Sequence, residues 1–159
     1  MIGPSAFAPT FSRRFIMALI KMRVLYNSGK KGMAQFSDVL KEKYELAVNA
    51  TSGKFPPEYP CDKERIVVLG ISAKSEISDE VRRFCAELNK SRAHNVALLV
   101  DGTQTAADKL AEIISGAGTN LVGVKVISFG GFGPFGGKLT DELKTELVAW
   151  VEEMVANCK

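Results

Sequence analysis

Arg65-Ile66-Val67-Val68-Leu69-Gly70-Ile71-Ser72-Ala73-Lys74-Ser75 decides the fold. Ile66 to Leu69 form an unbroken aliphatic run, the pattern of a strand covered on both faces. The run breaks into a joint of Gly, Ser and Lys. Behind the joint, Ile77, Val81, Phe84, Cys85 and Leu88 recur at helical spacing and mark one apolar helix face. A strand, a polar joint and a helix make the unit of a parallel sheet, and such sheets gather their joints at one edge, where ligands bind.

The same unit recurs in both directions. Residues 22–26 predict a first strand, which enters the joint Tyr26-Asn27-Ser28-Gly29-Lys30-Lys31-Gly32 and then a helix face of Met33, Phe36, Val39, Leu40 and Tyr44. Residues 45–48 predict a short second strand. Residues 51–63 follow with three prolines in five positions, Pro56, Pro57 and Pro60, so this crossover is expected to be a loop. Residues 65–70 are the third strand. Residues 94–100 predict a fourth, ending at Asp101-Gly102-Thr103-Gln104. Ala106, Ala107, Leu110, Ile113 and Ile114 line the next helix, which Gly116 and Gly118 stop. Residues 121–129 predict a fifth strand, running into the glycine-rich stretch 130–138. Thr140 caps the last helix, with Asp141 and Glu142 in its first turn, and Leu139, Leu143, Leu147, Trp150, Val151 and Met154 form its apolar side. Five strands and four helices thus alternate. Right-handed crossovers reduce the topologies to a parallel α/β sandwich of three layers with strand order 2-1-3-4-5.

Composition narrows the function classes. The chain has 159 residues, 46% hydrophobic and 25% charged, which suits one globular domain. A net charge of +3, with no basic stripe interleaved with aromatics, argues against nucleic acid as partner. No apolar run reaches about 18 residues, so no membrane partner is expected. Cys61, Cys85 and Cys158 are widely spaced and a single His is present, which excludes the familiar zinc patterns and fits free thiols in a reducing cytoplasm. Residues 1–20 lack periodicity and are expected to be an extension, or to precede a start at Met17 or Met22; residues 21–159 form the domain. Ser12-Arg13-Arg14-Phe15 has the letters of an export signal, but the apolar stretch behind it is too short and no cleavage site follows.

Over residues 21–154 the chain resembles the flavodoxin-like family. Three places carry the likeness: Val24-Leu25-Tyr26 with the Ser28-Gly29 turn; Ile66 to Ser72 followed by Ser78, Val81, Phe84 and Leu88; and the run Gly130-Gly131-Phe132-Gly133-Pro134-Phe135-Gly136-Gly137-Lys138-Leu139 before the last helix. The resemblance implies non-covalent FMN, with its ring between two loops and its phosphate in the first. FMN would carry the electrons and the protein would set orientation and potential, which implies a redox partner protein. By this reading Ser28, Gly29, Lys30, Lys31, Gly32 and Met33 contact the cofactor from the first loop. Ser72, Ala73 and Lys74 contact it from the second, and Asp101, Gly102, Thr103 and Gln104 from the third.

The residues themselves hold a second reading open. Phosphate is held by backbone amides at a helix start together with short hydroxyls, and of the family's three hydroxyl positions only Ser28 is filled by one. Lys30 and Lys31 are the candidates to compensate. The two ring loops contain no aromatic residue. Lys30, Lys31, Lys74 and Lys138 lie past strand ends and predict a lysine-lined rim with Asp101 as the main opposing charge, suited to an anion or an acidic partner. Phe132 and Phe135 are expected either to tuck into the core or to meet a ligand. The third strand lacks the Asp of a receiver domain, the first turn lacks a dinucleotide fingerprint, and His94 has no catalytic companion. Two functions remain: an FMN electron carrier or small flavin oxidoreductase, and an interaction module on the same fold that has lost FMN.

Overall fold

The computed structural model describes residues 20–130 and 137–159. Its sheet has five parallel strands in the order β2-β1-β3-β4-β5. These are β1 (Met22–Asn27), β2 (Thr51–Ser52), β3 (Ile66–Ala73), β4 (Asn95–Gly102) and β5 (Asn120–Ile127). The helices are α1 (Lys31–Lys43), α2 (Asp79–Ala86), α3 (Gln104–Ala117) and α4 (Asp141–Ala156). The expected three-layer α/β sandwich is therefore the observed one.

Strand alternation sends successive side chains to opposite faces. Val67, Leu69, Val96, Leu98 and Val100 bury against Val81 and Cys85 of α2 and Ala106, Ala107, Leu110 and Ile114 of α3. Ile66, Val68, Ala97 and Leu99 bury on the other face, against Met33, Phe36 and Leu40 of α1 and Leu147, Trp150 and Val151 of α4. Each fully buried aliphatic side chain contributes about 1.5–3 kcal/mol, so two filled faces hold the sheet.

Short side chains set the helix starts. Ser78 accepts from the Val81 amide, Thr103 from Ala106 and Thr140 from Leu143, at 3.2 to 3.3 Å. Gly118 ends α3 in the left-handed region, at φ 107°, while Gly116 lies inside the helix. Gly118→Ala is expected to cost about 1 kcal/mol, because a Cβ disfavours that conformation; urea unfolding measures it, and an unchanged midpoint would mean that the cap rearranges.

The second strand differs from expectation. Residues 45–48 are not in the sheet; pairing with β1 is confined to Thr51 and Ser52, opposite Val24 and Leu25. The reason is the end of α1. Glu45, at φ 52°, donates its amide to the Glu42 carbonyl, and the Leu46 amide reaches back to the Lys41 carbonyl at 2.9 Å. This is a Schellman cap with glutamate in the usual glycine position. The backbone that would begin a strand is used to finish the helix. A single 3-10 turn, Val48–Ala50, then leads into β2 and leaves Val48 76% exposed.

β3 and β4 run further than expected. Ser72 pairs with Asp101 and Ala73 with Gly102 inside the sheet, so these four residues end strands instead of occupying loops. Phe132, Pro134 and Phe135, like the extension before Ile20, lie outside the described residues.

Candidate functional site

With this strand order the chain leaves β1 toward one side of the sheet and β3 toward the other, so the crevice between their carboxyl ends is the topological switch point. Ser28 and Lys30 lie beyond β1, Ser72 ends β3, and Asp101 ends β4 beside it. Their hydrogen bonds run in one direction. Ser72 Oγ donates to Asp101 Oδ2 at 2.8 Å. Its only proton is then committed, so across the 2.6 Å Ser28–Ser72 contact it is Ser28 that donates. Ser28 Oγ in turn accepts from the Lys30 amide at 3.0 Å.

Asp101 terminates this chain and is only 6% exposed. Its second oxygen accepts the Phe129 amide at 3.1 Å, and Lys30 Nζ lies 3.8 Å from the first. The carboxylate therefore joins the ends of four segments: the β1 joint, β3, β4 and the residues following β5. Charged acceptors make stronger hydrogen bonds than neutral ones, which suits this point of convergence.

Among the four described helices, α1 starts without a side-chain cap. A carbonyl from elsewhere takes that place: the Gly32 amide donates to Gly137 O at 2.6 Å, and Gly137 N donates to Gly130 O at 3.0 Å. Gly32 is needed for this approach, since a Cβ there would lie 2.8 Å from Gly137 O and well inside van der Waals contact with the Phe129 ring. The base of the glycine-rich stretch is thereby fastened onto the first turn of α1.

The other expected contact residues divide by burial. Met33 is 1% exposed and packs beneath Gly70, inside the core and away from the edge. Gly29 and Lys31 are exposed. The second loop is fastened to α3: Thr103 donates its amide to Ala73 O and its hydroxyl to Lys74 O, and Lys109 Nζ reaches Ser75 O at 2.9 Å. Gln104 bonds along its own helix to Asp108. Sequence reasoning missed three groups here: the Phe129 amide, the Gly137 carbonyl and Lys109. The first two are backbone groups, which no residue type announces.

Charge at the rim also differs from expectation. Lys30, Lys31, Lys74 and Lys138 are all exposed, and Lys30 pairs with Asp101. The same edge receives the amino ends of the helices, and with them Asp79, Glu80, Asp141 and Glu142. Asp101 is thus one of several opposing charges, and the lysines sit in a mixed field.

An FMN phosphate would need donors that are open. The Gly32 amide holds Gly137 O, the Lys30 amide holds Ser28, and the Met33 amide bonds back to Lys30 O at 3.3 Å. The Lys30 ammonium is drawn toward a buried carboxylate. As folded, these three amides and the Lys30 ammonium are engaged within the protein and do not present themselves to a phosphate. Burial pushes the Cys61 thiol up to about 11 and the Cys85 thiol up to about 12, which keeps both protonated. Among the described residues, no group of His, Cys, Asp and Glu could hold a metal ion, and no helix is long and apolar enough to cross a membrane.

Compared with protein families, curated proteins and solved structures, the chain matches no family model, no curated protein and no solved structure.

Proposed function

We propose that this chain is an interaction module built on a flavodoxin-like scaffold, one whose ligand edge is held closed by its own side chains and which works without FMN. One observation carries the reading: the directed chain from the Lys30 amide through Ser28 and Ser72 to Asp101 fills the switch point with committed donors and a buried negative charge. The Gly137 carbonyl on α1 supports it, since that bond occupies the amide a phosphate would otherwise take. A scaffold of this kind acts through its surface, by binding other molecules.

A second reading, an FMN electron-transfer protein or small flavin oxidoreductase with a redox partner, is favoured by Lys31, exposed on the first turn of α1 beside the switch point. On that reading the Gly137 carbonyl leaves Gly32, Lys30 leaves Asp101, and both donors turn to the phosphate. The bound flavin would supply one- and two-electron chemistry.

Titration with FMN separates the two. A ligand at a hundred times its dissociation constant adds about 2.7 kcal/mol of stability, or roughly 5–10 °C of melting temperature for a chain this size. The module reading expects unquenched flavin fluorescence and an unmoved melting temperature. Quenching together with a shift of that size would replace it with the electron-transfer reading.

A further inference from the structure

The opposite edge of the sheet holds a cleft of about 410 Å³ that the switch point does not involve. Its inner wall is the start of β1, residues 20–23. Its outer wall is the segment that leaves α1, including Leu46, Ala47 and Asn49. The cleft exists because β2 is short. The register that sets Val24 against Thr51 would bring Asn49 opposite Met22, but the chain is coiled there, and the Ala50 amide donates to Ala47 O at 3.0 Å instead. The Lys21 carbonyl is taken from the β3 side by Arg65 and Ile66. Strand alternation therefore aims the backbone N–H and C=O of Met22 toward the cleft, where no strand pairs with them.

Two side-chain atoms in the described residues are buried without a hydrogen-bond partner, Arg23 Nε and Tyr44 Oη. Both belong to residues lining this cleft. Unsatisfied buried polar atoms are rare in folded proteins and call for a partner. Arg23 is otherwise committed: its terminal nitrogens hold Tyr59 O at 2.6 Å and Pro60 O at 3.3 Å. Tyr44 is pushed up to about 12, mainly by burial and then by the charge of Glu152, so its hydroxyl stays protonated and can donate.

The charges lining the cleft cancel, Lys21 and Arg23 against Glu45 and Glu64. That balance disfavours a strongly charged ligand. What remains is a strand edge without a neighbour, the orphaned Tyr44 hydroxyl, and apolar side chains from Ile20 and Leu46; Arg23 Nε lies on the other face of the sheet, beside Tyr59 and Pro60, and plays no part. A polypeptide in extended conformation matches all three: an amide and a carbonyl for the backbone of Met22, a carbonyl for the Tyr44 hydroxyl, and a side chain toward the apolar wall at every second residue. We propose that this cleft is a peptide-binding groove, which takes an extended, near-neutral segment of a partner protein alongside the start of β1 and completes the missing part of β2. The proposal is independent of the flavin question, because the groove lies at the other end of the sheet.

The test is selection of a displayed random peptide library on the folded full chain, followed by amide chemical-shift mapping with the peptides recovered. The expected result is enrichment of uncharged, alternating sequences that shift the amides of Met22, Arg23 and residues 45–50. Ala47→Trp, which fills the groove from its outer wall, should weaken those peptides by at least about tenfold, with the melting temperature confirming that the variant folds. Lys74→Glu, at the far edge, should leave their affinity unchanged. No enrichment, shifts mapping elsewhere, or full affinity in Ala47→Trp would each overturn the proposal. So would a cross-strand NOE between Met22 and Asn49 in the free chain, which would show β2 already extended and the groove closed.

Discussion

Gly102→Ala is expected to destabilise the protein by about 3 kcal/mol, near the top of the range for overpacking a filled site. Gly102 pairs with Ala73 across the carboxyl ends of β3 and β4. A Cβ built there falls inside van der Waals contact with the Ala73 carbonyl oxygen and 2.7 Å from its carbonyl carbon. The obstacle is backbone, which no rotamer change clears. Nor is that backbone free to retreat: Thr103 holds Ala73 O through its amide and Lys74 O through its hydroxyl. The two strand ends must splay, and the Ser72–Asp101 pair one step back is strained with them. At about 2–4 °C per kcal/mol for a domain of this size, the melting temperature should fall by roughly 6–12 °C. Gly116→Ala is the control. It lies inside α3 with nothing within 4 Å of the new Cβ, so it should be neutral or gain up to about 1 kcal/mol from helix propensity. Equal melting temperatures for Gly102→Ala and wild type would show that the strand ends separate at no cost, and the closed edge would lose its framework.

How far the residues announce this structure can be judged element by element. β3 and β4 are legible because both faces are covered, so their aliphatic runs are continuous. Three helix starts are legible because Ser78, Thr103 and Thr140 carry the capping oxygen themselves. β2 is not legible, and the reason is local. Leu46-Ala47-Val48 has strand composition, but the Glu45 and Leu46 amides are already committed to closing α1, and a Schellman cap built without glycine leaves no mark in the residue pattern. Strand ends are obscured for a related reason. Ser72 and Asp101 are polar, which reads as loop, yet their hydroxyl and carboxylate bond to each other and the ladder continues beneath them. At the site, Ser28, Lys30, Ser72 and Asp101 were identifiable as residues of the ligand edge. That they satisfy one another is not, because it depends on the register that sets Ser72 beside Asp101 and on the path of the β1 joint that brings Ser28 to Ser72, neither of which a residue type announces.

The two substitutions at Asp101 should differ sharply, and the difference reports the direction of the hydrogen-bond chain. Asp101→Ala removes the acceptor for the Ser72 hydroxyl and for the buried Phe129 amide, and leaves Lys30 without its counter-charge. An unsatisfied buried donor costs about 1–3 kcal/mol, so the total should reach roughly 2–4 kcal/mol, or about 5–15 °C in melting temperature. Asp101→Asn keeps an oxygen for the Phe129 amide and presents an NH2 to Ser72. The chain can then reverse: Asn donates to Ser72, Ser72 donates to Ser28, and Ser28 still accepts the Lys30 amide while its own proton turns to water. Only the pair with Lys30 is lost, and with the lysine side chain 47% exposed that pair is worth at most about 1 kcal/mol. Near-equal losses for Ala and Asn would mean that the negative charge, and not hydrogen-bond satisfaction, holds the edge together. The same proteins carry a flavin arm. Asp101→Asn removes the negative charge from the switch point while keeping its bonds, so it is the variant best placed to admit a phosphate. FMN binding by Asp101→Asn alone would mark a flavin site held shut by one carboxylate, whereas binding by neither variant is what a scaffold closed by the Gly137 carbonyl requires.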